Sequence, residues 1–291
     1  MLFNIYINEL LVNISKSNCG CKLGYSAANV IGYADDIVLL APSVQGLQRL
    51  ITLAAFECSK IKLQFNCNKS KIKHFKNKHK DKEASKLKLI LNGSVIESTT
   101  LIKYLGYMIH SNLSNSEDLN KCKRNFLIQL NSLIRKFPKT DPVTFLYLFK
   151  SYCFSFYGCE LWFSNKWCKL QYDQLKVAYH NGVKRIRNLR YWQSSHMACE
   201  DAGVLTFSHL VNLRQYNFIW RMINKPNFYT SLIKPHLLFQ STQVLEVETC
   251  FSTIYDVPYL WDNDKEAIKA RIFFVDRHEP RSQYVRILTN V

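Results

Sequence analysis

The sequence predicts an α+β arrangement over residues 1–110, followed by an all-helical remainder. Two short apolar runs, Val30-Ile31 and Ile37 to Leu40, bracket Tyr33-Ala34-Asp35-Asp36, and β-branched residues around turn-forming Asp read as a hairpin. A helical pattern follows from Ser43, and the order strand, turn, strand, helix fits helices packed on one side of an antiparallel sheet. From Glu117 onward the apolar spacing becomes helical and stays so.

The elements follow in order. Apolar residues at positions 2, 3, 6, 7, 10 and 11 predict a helix with one buried face. Asn18 to Gly24 reads as a loop, and Tyr25 to Ala28 leads into the hairpin. Pro42-Ser43 ends its second strand, with Ser43 as N-cap of a helix carrying Leu47, Leu50, Ile51, Ala54, Ala55 and Cys58 on one face. Lysines at 69, 71, 73, 76, 78, 80 and 82 give a strongly basic stretch, and Asn77 to Ser85 reads as an exposed loop. Leu87 to Leu91, Asn92-Gly93 and Val95-Ile96 predict a second hairpin with a type I′ turn. Leu119, Cys122, Phe126, Leu130, Leu133, Ile134 and Phe137 form the stripe of a long helix. Asp141-Pro142 starts another, with Asp as N-cap and Pro at the first helical position, running toward Tyr157-Gly158. Further helices are expected over Gln174 to Arg190 and around Leu205 to Met222, the latter packing Leu210, Leu213, Phe218 and Trp220 and turning Arg214 and Arg221 to solvent or phosphate. Lys225 to Val291 contains four prolines and no assignable motif.

A net charge of +17 over 291 residues favours a polyanionic partner, nucleic acid more than membrane. No run of about eighteen apolar residues occurs, which argues against a membrane span. The ten cysteines contain no C-x-x-C pair, and Met1 to Leu11 lacks the basic start of a secretory signal. Reduced thiols in an intracellular protein are therefore expected, without choosing between nucleus and cytoplasm. His74 and His79 have no cysteine pair nearby, so the spacing does not point to zinc.

The chemistry centres on Asp35 and Asp36. A tight turn would leave both acids on an accessible edge, and two carboxylates held close without a counter-ion make a divalent cation their natural partner. A solvated turn is the plain alternative for the dipeptide alone.

The string Gly32-Tyr33-Ala34-Asp35-Asp36 followed by Ile37-Val38-Leu39-Leu40 resembles the Y-x-D-D hairpin of reverse transcriptases, in the form common in non-LTR (LINE, jockey-like) retrotransposons. Leu2-Phe3-Asn4-Ile5-Tyr6-Ile7-Asn8-Glu9-Leu10 is similar to the family's L-F-N-I-Y-I-N-D-L, here without the G-x-x-L-G-P-type turn before it. Leu63 to Ile72 resembles L-x-x-N-x-x-K-[ST]-K, Tyr104-Leu105-Gly106 the Y-L-G primer grip, and Tyr157 to Trp162 the string Y-G-x-E-x-W. An unrelated basic helical protein would need all of these, in this order, to be accidents.

The resemblance implies a partial reverse-transcriptase palm over 1–110, thumb-like helices over 111–165 and a basic helical C-terminal region of unknown role over 166–291. It implies RNA-directed DNA synthesis with two Mg²⁺ ions, Asp35 and Asp36 as metal ligands and Lys69 assisting the leaving pyrophosphate. Tyr33, Tyr104, Leu105 and Gly106 become candidates for contact with an RNA template and DNA primer, and Lys121, Arg124, Arg135 and Lys136 for contact with duplex phosphates. The family's first palm aspartate lies N-terminal to the L-F-N-I-Y string. The chain as written is accordingly expected to hold only part of the two-metal site, to be inactive alone, and to expose a sheet edge. An upstream fragment or an intact retroelement protein would complete it. The competing expectation is a non-catalytic nucleic-acid-binding or protein-interaction module derived from such an element.

Overall fold

The computed structural model describes residues 2–23, 26–75, 88–162 and 168–224. The expected exposed loop at 77–85, His79 and the proline-containing segment after Asn224 lie outside these residues, as does Tyr25. The described residues mix helices with two-stranded β-ladders, an α+β composition. They divide into two units: residues 1–104 with 109–113, and residues 105–108 with 114–291.

In the first unit, helices α1 (Leu2–Tyr6) and α2 (Asn8–Ser15) replace the single expected helix. Ile7, Leu10 and Ile14 are buried, whereas Phe3 and Tyr6 are exposed. The apolar stripe is wider than one neighbouring helix covers, so only the edge facing the next helix is used. That neighbour is α3 (Val44–Lys60), which starts as expected with Ser43 Oγ accepting from Gly46 N at 3.1 Å. Leu50, Ala54 and Cys58 of α3 close a core with Leu10 and Ile14, and Ile51 joins a second cluster with Ile72, Leu89, Leu91 and Ile96.

The strands are β1 (Lys22–Leu23), β2 (Ser26–Ala27), β3 (Val30–Tyr33), β4 (Asp36–Leu39), β5 (Lys71–Ile72), β6 (Ile90–Leu91), β7 (Ser94–Val95), β8 (Glu97–Ser98), β9 (Leu101–Tyr104) and β10 (Tyr107–His110). They pair as β1–β2, β3–β4, β5–β8, β6–β7 and β9–β10, separate two-stranded ladders instead of one sheet. The β5–β8 ladder is parallel. The turn of the β6–β7 hairpin has Asn92 at φ 49° and Gly93 at φ 79°, the two positive angles that a type I′ turn requires.

The second unit is helical, with α4 (Ser116–Lys136), α5 (Pro142–Cys153), a 3-10 turn at Cys159–Leu161, α6 (Lys169–Ile186), α7 (Ser195–Asp201) and α8 (Phe207–Asn224). Its core holds Phe126 and Leu130 of α4, Phe149 of α5, Tyr179 of α6 and Phe207 of α8. Gly182 lets α6 close on α4, since a Cβ there would lie 2.8 Å from Phe126 Cζ. Asp141 caps α5 by accepting from Val143 N and Thr144 N.

Two expectations are corrected here, and one element is added. Helix α6 runs earlier than Gln174 to Arg190, because Asn188 takes φ 53° and Leu189 N donates to Lys184 O, a left-handed stop that takes Arg187 to Arg190 out of the helix. Helix α7, capped by Ser194, adds an element that the sequence pattern does not announce, being too short to show a period. In α8 the buried positions are Phe207, His209, Val211, Gln215, Tyr216 and Ile219, and of the residues expected to pack Leu210 lies partly buried against the core. Arg214, expected at solvent or phosphate, donates to the carbonyls of Phe154 and Ser155 just past the C-terminus of α5, where orphan carbonyls favour a cation.

Candidate nucleic-acid and metal-binding residues

The β3–β4 hairpin pairs Val30 with Leu39, Ile31 with Val38, Gly32 with Ile37 and Tyr33 with Asp36. Val30, Ile37 and Leu39 pack against the core of α2 and α3. At Gly32 a Cβ would lie 2.8 Å from Leu11 Cδ1, so the glycine is what lets α2 lie against the strand. Asn29, buried just before β3, donates through Nδ2 to the carbonyls of Ile14 and Cys19, pinning the hairpin's base to the end of α2.

This anchored base carries an open tip. Ala34 and Asp35 form the turn, with Ala34 at φ 51°, and Asp36 opens β4. Tyr33 is 62% exposed and both aspartates are exposed. Neither carboxylate has a hydrogen-bond or ion-pair partner among the described residues, so the repulsion between the two has no internal counter-charge. Hard, unshared carboxylate oxygens suit Mg²⁺. No group of three or more His, Cys, Asp or Glu side chains that could hold a metal occurs among the described residues.

Lys69 sits in a turn built by Asn66. The Asn66 side-chain oxygen accepts from Asn68 N and Lys69 N, and its carbonyl accepts from Ser70 N and Ser70 Oγ. The N-x-x-K-S spacing thus has a local cause: the asparagine closes the turn and the serine ties it. Three lysines follow one another here with different fates. Lys71 pairs with Glu97, its register partner across the β5–β8 ladder. Lys73 Nζ is enclosed, and burial lowers its pKa. Lys69 is exposed, with its ammonium unpaired among the described residues.

In the second unit the turn after Tyr104 has Leu105 at φ 46° and Gly106 at φ 84°. Lys121 Nζ donates to Gly106 O, bringing two of the expected site residues together and tying this lysine to the turn. Tyr107 OH donates to Asn115 Oδ1 at 2.7 Å, and Met108 N donates to Asp118 Oδ1 at 3.3 Å. The Tyr157–Trp162 string closes the same cluster. Trp162 Nε1 donates to Asp118 Oδ2 at 3.1 Å, and Gly158, at φ 87°, leaves space for the Tyr107 ring. Burial raises the Asp118 pKa, against the lowering effect of the Trp162 and Met108 hydrogen bonds and the Lys121 charge. Burial also lifts the Tyr107 hydroxyl and pushes the Cys122 thiol up to about 12.

Arg124, Arg135 and Lys136 are exposed along α4, without hydrogen-bond or ion-pair partners among the described residues. Sequence reasoning does not single out Asp118 or the role of Trp162. An acid in the first turn of a helix is ordinary dipole complementation, and nothing linear marks it as buried; the Y-G-x-E-x-W string is the available signal for Trp162. All nine described cysteines are free, and no described helix is long and apolar enough to cross a membrane.

Residues 1–109 match the family model described as Reverse transcriptase (RNA-dependent DNA polymerase). The match runs from the first helix through the Tyr-Ala-Asp-Asp hairpin and the Asn66 turn to strand β10. No curated protein and no solved structure matches the chain.

Proposed function

We propose that the segment matching the reverse-transcriptase family serves RNA-directed DNA synthesis of the non-LTR retrotransposon type, with an RNA template and a DNA primer as partners. The observation that carries this reading is the pair of exposed, partnerless carboxylates of Asp35 and Asp36 on a hairpin whose base is fixed by Asn29 and Gly32.

In this reading Asp35 and Asp36 supply oxygen ligands for Mg²⁺. When bound, the two ions would supply Lewis-acid activation of the primer 3′-hydroxyl and neutralisation of the leaving pyrophosphate. Lys69 offers its free ammonium to the same polyphosphate. The Leu105-Gly106 turn, held from behind by Lys121 and Asp118, presents a fixed backbone edge to the primer strand, with Tyr33 and Tyr104 as further nucleic-acid contacts. Arg124, Arg135 and Lys136 place positive charge along α4 for duplex phosphates. Two carboxylates are fewer than the two-metal site needs, so the described residues are proposed to form part of it and to depend on a further carboxylate for activity, from an upstream segment or an intact retroelement protein.

The test is primer extension on a poly(A) RNA template with an oligo(dT) primer and Mg²⁺, comparing the chain with an Asp35→Ala, Asp36→Ala variant, alongside duplex binding at low salt. Synthesis that disappears in the variant supports the catalytic reading and overturns the dependence on a carboxylate from elsewhere. Duplex binding by folded protein without synthesis keeps the incomplete-site reading only if a segment supplying the further carboxylate, added in trans, restores extension. If it does not, the function is nucleic-acid binding alone.

A further inference from the structure

The loop between α6 and α7, outside the family match, displays its aromatic residues outward. Tyr191 is 80% exposed and Trp192 62%, and Trp192 is the one exposed tryptophan among the described residues. Their rings meet edge to face, with centroids 4.9 Å apart and planes at 86°. The Arg190 guanidinium carbon lies 5.1 Å from the centroid of the Trp192 ring.

The display is held firmly. Lys184, itself buried in α6, donates to Tyr191 O at 2.9 Å. Arg190 N donates to the Gln193 side-chain oxygen at 2.6 Å, and Gln193 N returns to Arg190 O at 3.1 Å. Leu189 N closes on Lys184 O, and Ser194 caps the helix that follows. Tied at these points, the loop holds two large aromatic surfaces in water. Such surface marks a contact that the described residues do not make among themselves.

The charges nearby indicate the occupant. Arg187 is neutralised by Asp201 at 2.6 Å, and Arg185 donates to Asn131. The Arg190 guanidinium has no hydrogen-bond or ion-pair partner among the described residues, so its N–H groups remain available beside the exposed rings. An aromatic face offers stacking to any base, and a free guanidinium offers bidentate hydrogen bonds to a phosphate. Bases inside a duplex are already stacked, so only unpaired ones fit.

We infer that Arg190, Tyr191 and Trp192 form a stacking platform for unpaired bases of a single-stranded nucleic acid, with Arg190 on the adjoining phosphate. The inference is independent of the nucleotidyl-transfer reading, since it uses none of the residues assigned to metal or primer.

The experiment measures binding of the full chain to a labelled single strand of about twelve nucleotides, as RNA and as DNA, and to a blunt RNA duplex, by fluorescence anisotropy. The proteins are wild type, Tyr191→Ala/Trp192→Ala, Tyr191→Phe/Trp192→Phe and Arg190→Gln. Removing both rings should weaken single-strand binding by about tenfold or more, while the phenylalanine pair keeps most of it. Duplex affinity should stay unchanged. Arg190→Gln should reduce the salt dependence of single-strand binding by about one phosphate's worth of slope. Equal losses for RNA and DNA assign the platform to features the two share; a loss for RNA alone adds the ribose hydroxyl to the contact. Single-strand affinity unchanged in the double alanine variant overturns the proposal and leaves a protein partner for the rings. So does an equal loss for single strand and duplex. Thermal melts check that the exposed substitutions leave the fold intact, and Arg190→Gln, altering no ring, reads the phosphate interaction separately.

Discussion

The indole N–H of Trp162 donates to Asp118 Oδ2 at 3.1 Å, and the two side chains are 0% and 1% exposed. The other carboxylate oxygen accepts from Met108 N, at the start of the strand that leaves the Leu105-Gly106 turn. A residue at the end of the Y-G-x-E-x-W string therefore supports the Y-L-G turn through a helix that lies between them in sequence. Trp162→Phe keeps most of the apolar volume and removes the donor from a buried carboxylate. It should cost about 1.5–3 kcal/mol, read as a lower urea midpoint for the transition of the second unit.

Asp118 also gives this unit a pH dependence of definite sign. Burial raises its pKa, so the folded chain holds the proton more tightly than the unfolded chain does. Its contribution to stability is greatest below the ordinary aspartate pKa of about 4 and is lost as pH rises through the raised folded value. Asp118→Asn keeps an oxygen acceptor for Trp162 and carries no charge. The melting temperature of the variant minus that of wild type should rise with pH from about 4 upward and then level off. A difference independent of pH would mean that the carboxyl does not titrate in this range.

Gly158→Ala should be far more damaging than a surface change. The residue has φ 87°, and an added Cβ would lie 2.6 Å from Tyr107 Cδ2. The left-handed conformation alone costs roughly 1–2 kcal/mol for a residue with a Cβ, and the Tyr107 ring must also move, loosening its hydrogen bond to Asn115. Gly203→Ala is the control: it has φ 58° with nothing within 4 Å of the added carbon. Thermal melts of the two should differ by the cost of displacing Tyr107, and only Gly158→Ala should weaken primer–template binding.

Salt dependence separates the lysines and arginines of α4. Gln in place of Arg124, Arg135 or Lys136 should weaken duplex binding and flatten the dependence of log Kd on log salt by about one unit for each phosphate no longer neutralised. Lys121→Gln should leave the salt slope unchanged and lower the melting temperature, because Lys121 is committed to Gly106 O. A slope change at Lys121 equal to the others would return it to the phosphate-binding set.

The sequence by itself determined whatever is written in neighbouring residues. The β3–β4 hairpin follows from β-branched runs around a two-residue turn, the helix starts at Ser43 and Asp141 from side chains that satisfy orphan amide groups, and the Asn92-Gly93 turn from residues that tolerate positive φ. The aspartate pair was legible for the same reason, since its exposure depends on a turn of two residues. Only the tertiary structure decided which cations are free. Lys121 faces a carbonyl, Arg214 the end of α5, Lys71 a glutamate across a parallel ladder, and Lys69 solvent, yet all four are ordinary basic residues in sequence. It likewise decided that Asp118 is buried and that Tyr191 and Trp192 are not. Burial depends on what the rest of the chain brings to a side chain, and partners as distant as Asp118 and Trp162 leave no periodic trace between them.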